Sequence, residues 1–140
     1  MLAVTRYDEV YVQLTAARVE EQLAAWAALA ESVRGNAAAE AALAAFAPGY
    51  FATALLALDH HFMHRMRGAE GKDGNPLNEV RMLSDAIVEN DGVLGENKTI
   101  KYKVDKAIAG VEIGEKIVLD AETFGKLAKA YIEEIGKRFG

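Results

Sequence analysis

Apolar positions recur at two different periods along this chain. From about Tyr7 to Arg34, the residues Val12, Ala16, Val19, Leu23, Trp26, Ala30 and Val33 alternate spacings of four and three. That is one stripe on a helix, and it predicts a helix laid along a bundle rather than an isolated coiled coil. Thr5-Arg6-Tyr7-Asp8 resembles a capping box with Thr5 as N-cap, and Gly35-Asn36 supplies a stop. Ala37–Ala47 is alanine-rich, which favours helix. Pro48-Gly49 interrupts it, and a further helix is expected over about Tyr50–Arg67, with Phe51, Leu55, Leu58 and Phe62 inward. Two helices, or one kinked helix, both fit residues 37–67. Gly68–Asn75 holds three glycines in eight residues and predicts a loop. Asn75-Pro76 then starts a helix through Leu77, Val80, Leu83 and Ile87, which Asn90-Asp91-Gly92 ends.

After Gly95 the period falls to two. Ile100, Tyr102 and Val104 alternate with lysines, which predicts a guarded edge strand over about 99–104. Lys116–Leu119 predicts a second strand, with a turn at Gly114-Glu115. Asp120 caps a last helix lined by Phe124, Leu127, Tyr131, Ile135 and Phe139, with Glu133/Lys137 and Glu134/Arg138 at i,i+4. The expected fold is mainly α: a bundle of four to five helices with a small antiparallel β element (about 99–104 and 116–119) before the last helix. The 140 residues suit one domain, 1–140.

Composition narrows the function classes. Half of the chain (51%) is hydrophobic, much of it alanine, which lets helices pack closely. The net charge of −5 disfavours nucleic acid as a partner. Cysteine is absent, so disulfides, thiolate catalysis and cysteine-ligated zinc are excluded. No apolar run reads as a membrane span and no signal sequence is read at the start, so the expectation is a cytoplasmic protein off the membrane.

Candidate chemistry gathers in one polar stretch. Between Asp59 and Arg81, the cations Arg65, Arg67, Lys72 and Arg81 balance the anions Asp59, Glu70, Asp73 and Glu79. Such balance suits a closed ion-pair and hydrogen-bond network ordering the loop before the Pro76 helix. It also suits a small-ligand site built from His64, Arg65, Glu70, Lys72, Asp73, Asn75, Asn78, Glu79 and Arg81. Phosphate-loop and dinucleotide fingerprints fail: Met66 stands where the first glycine belongs, and no strand precedes the loop. His60 and His64 would share a helix face at i,i+4 and could ligate a metal, with Glu70 or Asp59 added. A zinc-protease motif lacks its base, because His61 occupies the glutamate position, and no histidine has the Glu-x-x-His spacing of di-iron bundles. No metal and no cofactor is expected.

The segment Glu70-Gly71-Lys72-Asp73-Gly74-Asn75-Pro76-Leu77-Asn78-Glu79-Val80-Arg81, with His64-Arg65 before it, resembles a segment shared by uncharacterised small bacterial proteins, mostly actinobacterial. The resemblance extends loosely from Tyr11-Val12-Gln13-Leu14 to the last helix and implies a small cytosolic protein, with no activity attached. The leading expectation is a binding or interaction module that self-associates, a dimer first, its polar loop serving as structural network or small-ligand site. An enzyme is the first alternative, with His64 or Glu70 as acid/base, Lys72 or Arg81 on an anionic group, and Asn75 and Asn78 orienting it. A metal-binding bundle through His60 and His64 is the second.

Overall fold

A computed structural model describes residues 2–140. It contains five helices: α1 (Glu9–Ser32), α2 (Ala37–His60), the single-turn α3 (Arg67–Glu70), α4 (Pro76–Glu89) and α5 (Ala121–Phe139). The core lies where the second half of α2 meets α4 and α5. Phe51, Leu55 and Leu58 from α2 close on Leu77, Val80 and Leu83 from α4 and on Phe124, Leu127, Tyr131, Ile135 and Phe139 from α5. Phe62 and the loop residues Leu94, Ile100, Val111, Ile117 and Leu119 complete it. α4 and α5 form as expected, each with an asparagine or aspartate N-cap: Asn75 Oδ1 accepts from the Leu77 amide (2.8 Å), and Asp120 Oδ1 from the Thr123 amide (2.8 Å). Of the two expected i,i+4 pairs on α5, Glu134–Arg138 forms, at 2.6 Å.

α1 lies outside this core, mainly against α5. Its stripe of Val12, Val19, Leu23 and Trp26 faces the body of the protein as the bundle reading requires, but only half-buried. Its sole buried residue is Thr15, whose hydroxyl donates to the Tyr11 carbonyl at 3.0 Å. The helix starts later than the sequence suggests. Tyr7 N–H donates to the Phe139 carbonyl (2.8 Å), which keeps the arm before it extended, so the N-cap is Asp8 rather than Thr5.

Residues 37–60 form one helix that runs through Pro48. Pro48 deprives the Ala44 carbonyl of its usual donor. Ala44 is exposed, so water can take that place. The helix stops at His60, short of the expected Arg67, in successive tight turns: the Phe62 amide donates to Asp59 (3.1 Å), Met63 to His60 (3.3 Å) and Arg65 to Phe62 (3.2 Å). By length and composition α2 is also apolar enough to cross a membrane, with a mean hydropathy of 1.7 over its best window, contrary to the reading that no run reaches that length. Alanine, individually weak, accumulates. Only 22% of that window is buried.

The expected β element does not form as a sheet. Among the described residues there are two isolated bridges, Val4 with Arg65 and Val93 with Lys116. The 99–104 alternation is genuine as to sides: Ile100 is buried, Tyr102 half-buried, and Lys101 and Lys103 exposed. What it lacks is a partner strand. The Asn97 side chain accepts from the Thr99 and Ile100 amides (2.9 and 3.0 Å), curling the start of the segment into an Asx turn. Residues 116–119 also alternate, Ile117 and Leu119 in, Lys116 and Val118 out, but they meet residues 92–94 instead. Leu94 N–H donates to Glu115 (2.9 Å), Gly114 N–H to Leu94 (2.8 Å) and Ile117 N–H to Gly92 (2.7 Å). One bridge is too short to be a sheet.

The Pro48 geometry makes a stability prediction. Pro48→Ala should restore the bond to Ala44 and stabilise the protein by about 2 kcal/mol, the ~3 kcal/mol helical cost of proline less ~1 kcal/mol for a freer unfolded chain. A denaturant titration reads this as a raised midpoint. An unchanged midpoint would mean that the first half of α2 melts independently of the core.

Candidate functional site

The polar stretch wraps around one side chain. Arg65 sits just after the turns that end α2, and its side chain is fully buried. A buried guanidinium demands acceptors on every edge. Arg65 Nε donates to Glu70 Oε1 (2.9 Å). Its Nη1 donates to Asp59 Oδ1 (3.0 Å), the Phe62 carbonyl (3.1 Å) and Tyr131 Oη (3.1 Å). Nη2 points to the Leu77 carbonyl at 3.5 Å. Its plane also lies over the Tyr131 ring, 5.5 Å from the centroid. Tyr131 Oη in turn donates to Asp59 (3.0 Å). Backbone pairing holds the arginine's own segment, with Val4 N–H on the His64 carbonyl (2.7 Å) and Met66 N–H on the Val4 carbonyl (2.8 Å).

Glu70, at the end of α3, is the second centre. Its carboxylate accepts from Arg65, from Arg81 Nε (3.0 Å) and Nη2 (2.6 Å), and from Asn78 Nδ2 (2.9 Å). Burial alone would raise this carboxyl. The hydrogen bonds from Arg81 and Asn78 and the charges of Arg65 and Arg81 outweigh it and hold Glu70 below the ordinary glutamate range. Within this cluster Arg65 and Arg81 are balanced by Asp59 and Glu70.

The loop after α3 is folded around the same groups. Asn75 Nδ2 donates to the Glu70 carbonyl (2.8 Å) and to Asp73 Oδ1 (2.7 Å), which, with Arg138, keeps the Asp73 carboxyl below its usual value. Asn78 Oδ1 accepts from Gly74 N–H (2.9 Å), and Asn78 Nδ2 also reaches the Gly71 carbonyl (3.0 Å). From α5, Arg138 donates to the Glu70 carbonyl (2.9 Å) and to Asp73 (3.3 Å). Two glycines make this closeness feasible. Gly71 (φ 78°) and Gly74 (φ 88°) are left-handed, and a Cβ on either would collide with the Arg138 guanidinium or the Lys101 carbonyl. Lys101 N–H donates to the Lys72 carbonyl (2.9 Å), tying the 99–102 segment to the loop. One turn along α4, Glu79 accepts from the amides of Ile108 (2.9 Å) and Ala109 (2.8 Å). Burial pushes Glu79 above the ordinary range, and those two amides offset it only in part.

Six of the nine sequence-selected residues therefore come together, Arg65, Glu70, Asp73, Asn75, Asn78 and Arg81, while Glu79 turns to the 108–109 segment instead. His64 enters only through its backbone, and its ring is exposed; Lys72 likewise contributes its carbonyl and leaves its amine in solvent. The acid/base arrangement with His64 or Glu70 beside an open pocket is not what the geometry supplies, because the Glu70 oxygens are enclosed by donors. His60 and His64 do not share a helix face, since α2 ends at His60. Among the described residues, no group of three or more histidines and carboxylates is placed to hold a metal ion. Two members, Tyr131 and Arg138, were hidden by their helix. Tyr131 reads as part of the α5 core stripe and Arg138 as half of a surface pair. The available signal was the tyrosine hydroxyl, which needs a partner when buried. Comparison with protein-family models, with curated proteins and with solved structures finds no match to this chain.

Two predictions follow from the carboxylates. Glu70→Gln leaves the buried Arg65 and the half-buried Arg81 short of an anion and should cost ~3–5 kcal/mol. Because the folded value of Glu70 is depressed, its contribution is present above the unfolded glutamate value and disappears as pH falls through the folded one. Acid titration of the variant should lack that limb, and a wild-type acid limb retained in full would contradict the assignment. Glu79→Ala should free the Ile108 and Ala109 amides, read as faster hydrogen exchange at those two positions with α4 still protected; unchanged exchange there would refute the clamp.

Proposed function

We propose that this chain is a small cytoplasmic helical module that acts by self-association, with the 64–81 loop as its internal brace. The observation that carries the reading is the bareness of the α1–α2 hairpin. Ala38, Ala41, Ala42, Ala45 and Phe46 on α2, and Val10, Leu14, Ala24, Ala28 and Leu29 on α1, are all exposed. The inward stripe of α1 is used within the chain, so the surface available to a partner is the opposite face together with the alanine-rich half of α2.

The chemistry of that surface favours a second copy as its occupant. Between Ala37 and Leu58 the only ionisable carboxylate or base is Glu40. Along this half of α2 a charged partner finds only Glu40, other exposed charges of the hairpin (Arg18, Glu20, Glu21 and Glu31 among them) lying on α1, whereas the small-residue surface of α2 matches itself on a second copy about a two-fold axis. Small side chains also let helix axes come close. A membrane is a poorer occupant, because Phe51, Ala54, Leu55 and Leu58 fix the second half of α2 in the core. Such a module resembles in size and segment pattern the uncharacterised bacterial proteins that share the 70–81 motif.

Sedimentation equilibrium should give a species at twice the 15.1 kDa chain mass. Ala45→Glu should weaken the dimer at least about tenfold, the effect of ~1.4 kcal/mol, with the helical circular dichroism unchanged. A strict monomer at high concentration would remove the reading.

A further inference from the structure

A cavity of about 310 Å³ opens between the N-terminal arm and the turns after α2. Among the described residues its polar lining is His64, Arg65, Arg67 and Arg81, with no carboxylate. We propose that it binds a small organic oxyanion, a carboxylate or a phosphate ester.

The arginines play different parts. Arg65 is committed to the network behind the cavity wall. Arg81 spends Nε and Nη2 on Glu70, so its Nη1 is left without a protein partner among the described residues. That grip also fixes the guanidinium, so little side-chain freedom is lost when an anion arrives. Arg67 is exposed and makes no ion pair or side-chain hydrogen bond among the described residues. Two guanidinium groups with unused donors, one held by Glu70 and one exposed, match the forked acceptors of a carboxylate or phosphate. The exposed His64 ring stands beside them, and Leu2 and Met63 give the rim an apolar side for the body of an organic ligand.

The surrounding carboxylates limit the affinity without filling the site. Asp59 and Glu70 neutralise Arg65 and Arg81 from the interior side. Asp85, one turn beyond Arg81 on α4, feels the charges of Arg81 and Arg67 but is not within ion-pair distance of either. It is the natural competitor for Arg67. The cavity lies at the small end of ligand sites, which suits a metabolite of a few carbons rather than a nucleotide.

Titration of ¹⁵N-labelled protein with sodium phosphate and, separately, sodium succinate tests this, with sodium chloride matching the ionic strength. Saturable shifts confined to residues 2–4, 63–68 and 81 are expected, and the tighter of the two anions identifies the headgroup. Arg67→Ala lies outside the structural network, so its fold should be intact, and it should weaken binding at least about tenfold, a loss of ~1.4 kcal/mol. Shifts reproduced by chloride alone, no saturation, or unchanged binding by the Arg67→Ala protein would each overturn the proposal.

Discussion

A guanidinium with no solvent around it constrains this fold more than any single apolar contact. Arg65 is 3% exposed. Leaving such a cation without partners would cost several kcal/mol, so the chain must deliver acceptors to it from several directions at once. It does so from α2 with Asp59, from α3 with Glu70, from α4 with the Leu77 carbonyl and from α5 with Tyr131. Each acceptor lies on a different element. The network therefore sets the relative placement of the helix ends, a task that hydrophobic burial alone performs loosely because it has no direction. The apolar core supplies most of the driving force, and the arginine selects one arrangement of it.

The same logic explains the long irregular segment between α4 and α5. Residues 90–120 have no sheet to organise them. They are held by the brace instead, through Lys101 on the Lys72 carbonyl and through Ile108 and Ala109 on the Glu79 carboxylate. Tyr102, whose hydroxyl donates to the Val111 carbonyl, is pushed up to about 12 by burial and by the nearby charges of Glu79 and Glu115. It thus remains a neutral donor at any physiological pH.

Helices were legible in the sequence wherever local signals agreed. Asn75-Pro76 and Asp120 marked their starts because the cap chemistry is short-range, and the stripes of α4 and α5 matched the faces they bury. Misreadings fell where tertiary contacts decide. Pro48 left one helix or two open, and the single helix is possible because an exposed carbonyl on an alanine-rich helix tolerates the proline; the end of that helix, expected near Arg67, was misread. Residues 99–104 showed strand alternation, because half-burial of an extended segment produces the same pattern whether or not a neighbouring strand exists. The polar stretch announced itself by density, and most of its members do meet. Its directions were not legible: nothing in the spacing shows that Glu70 turns inward to two arginines while Lys72 and His64 turn out.

The molecule consequently has two unlike halves. Around Arg65, polar groups are matched donor to acceptor, and the glycines at 71 and 74 remove the last steric obstacles to that fit. At the far end, the α1–α2 hairpin holds small and apolar side chains at exposed positions, with an aromatic cluster of Trp26, Phe46 and Tyr50 as its main internal contact. Phe51, Ala54, Leu55 and Leu58 fix the second half of α2 in the core, and because residues 37–60 are one continuous helix they also set the direction in which its exposed first half runs.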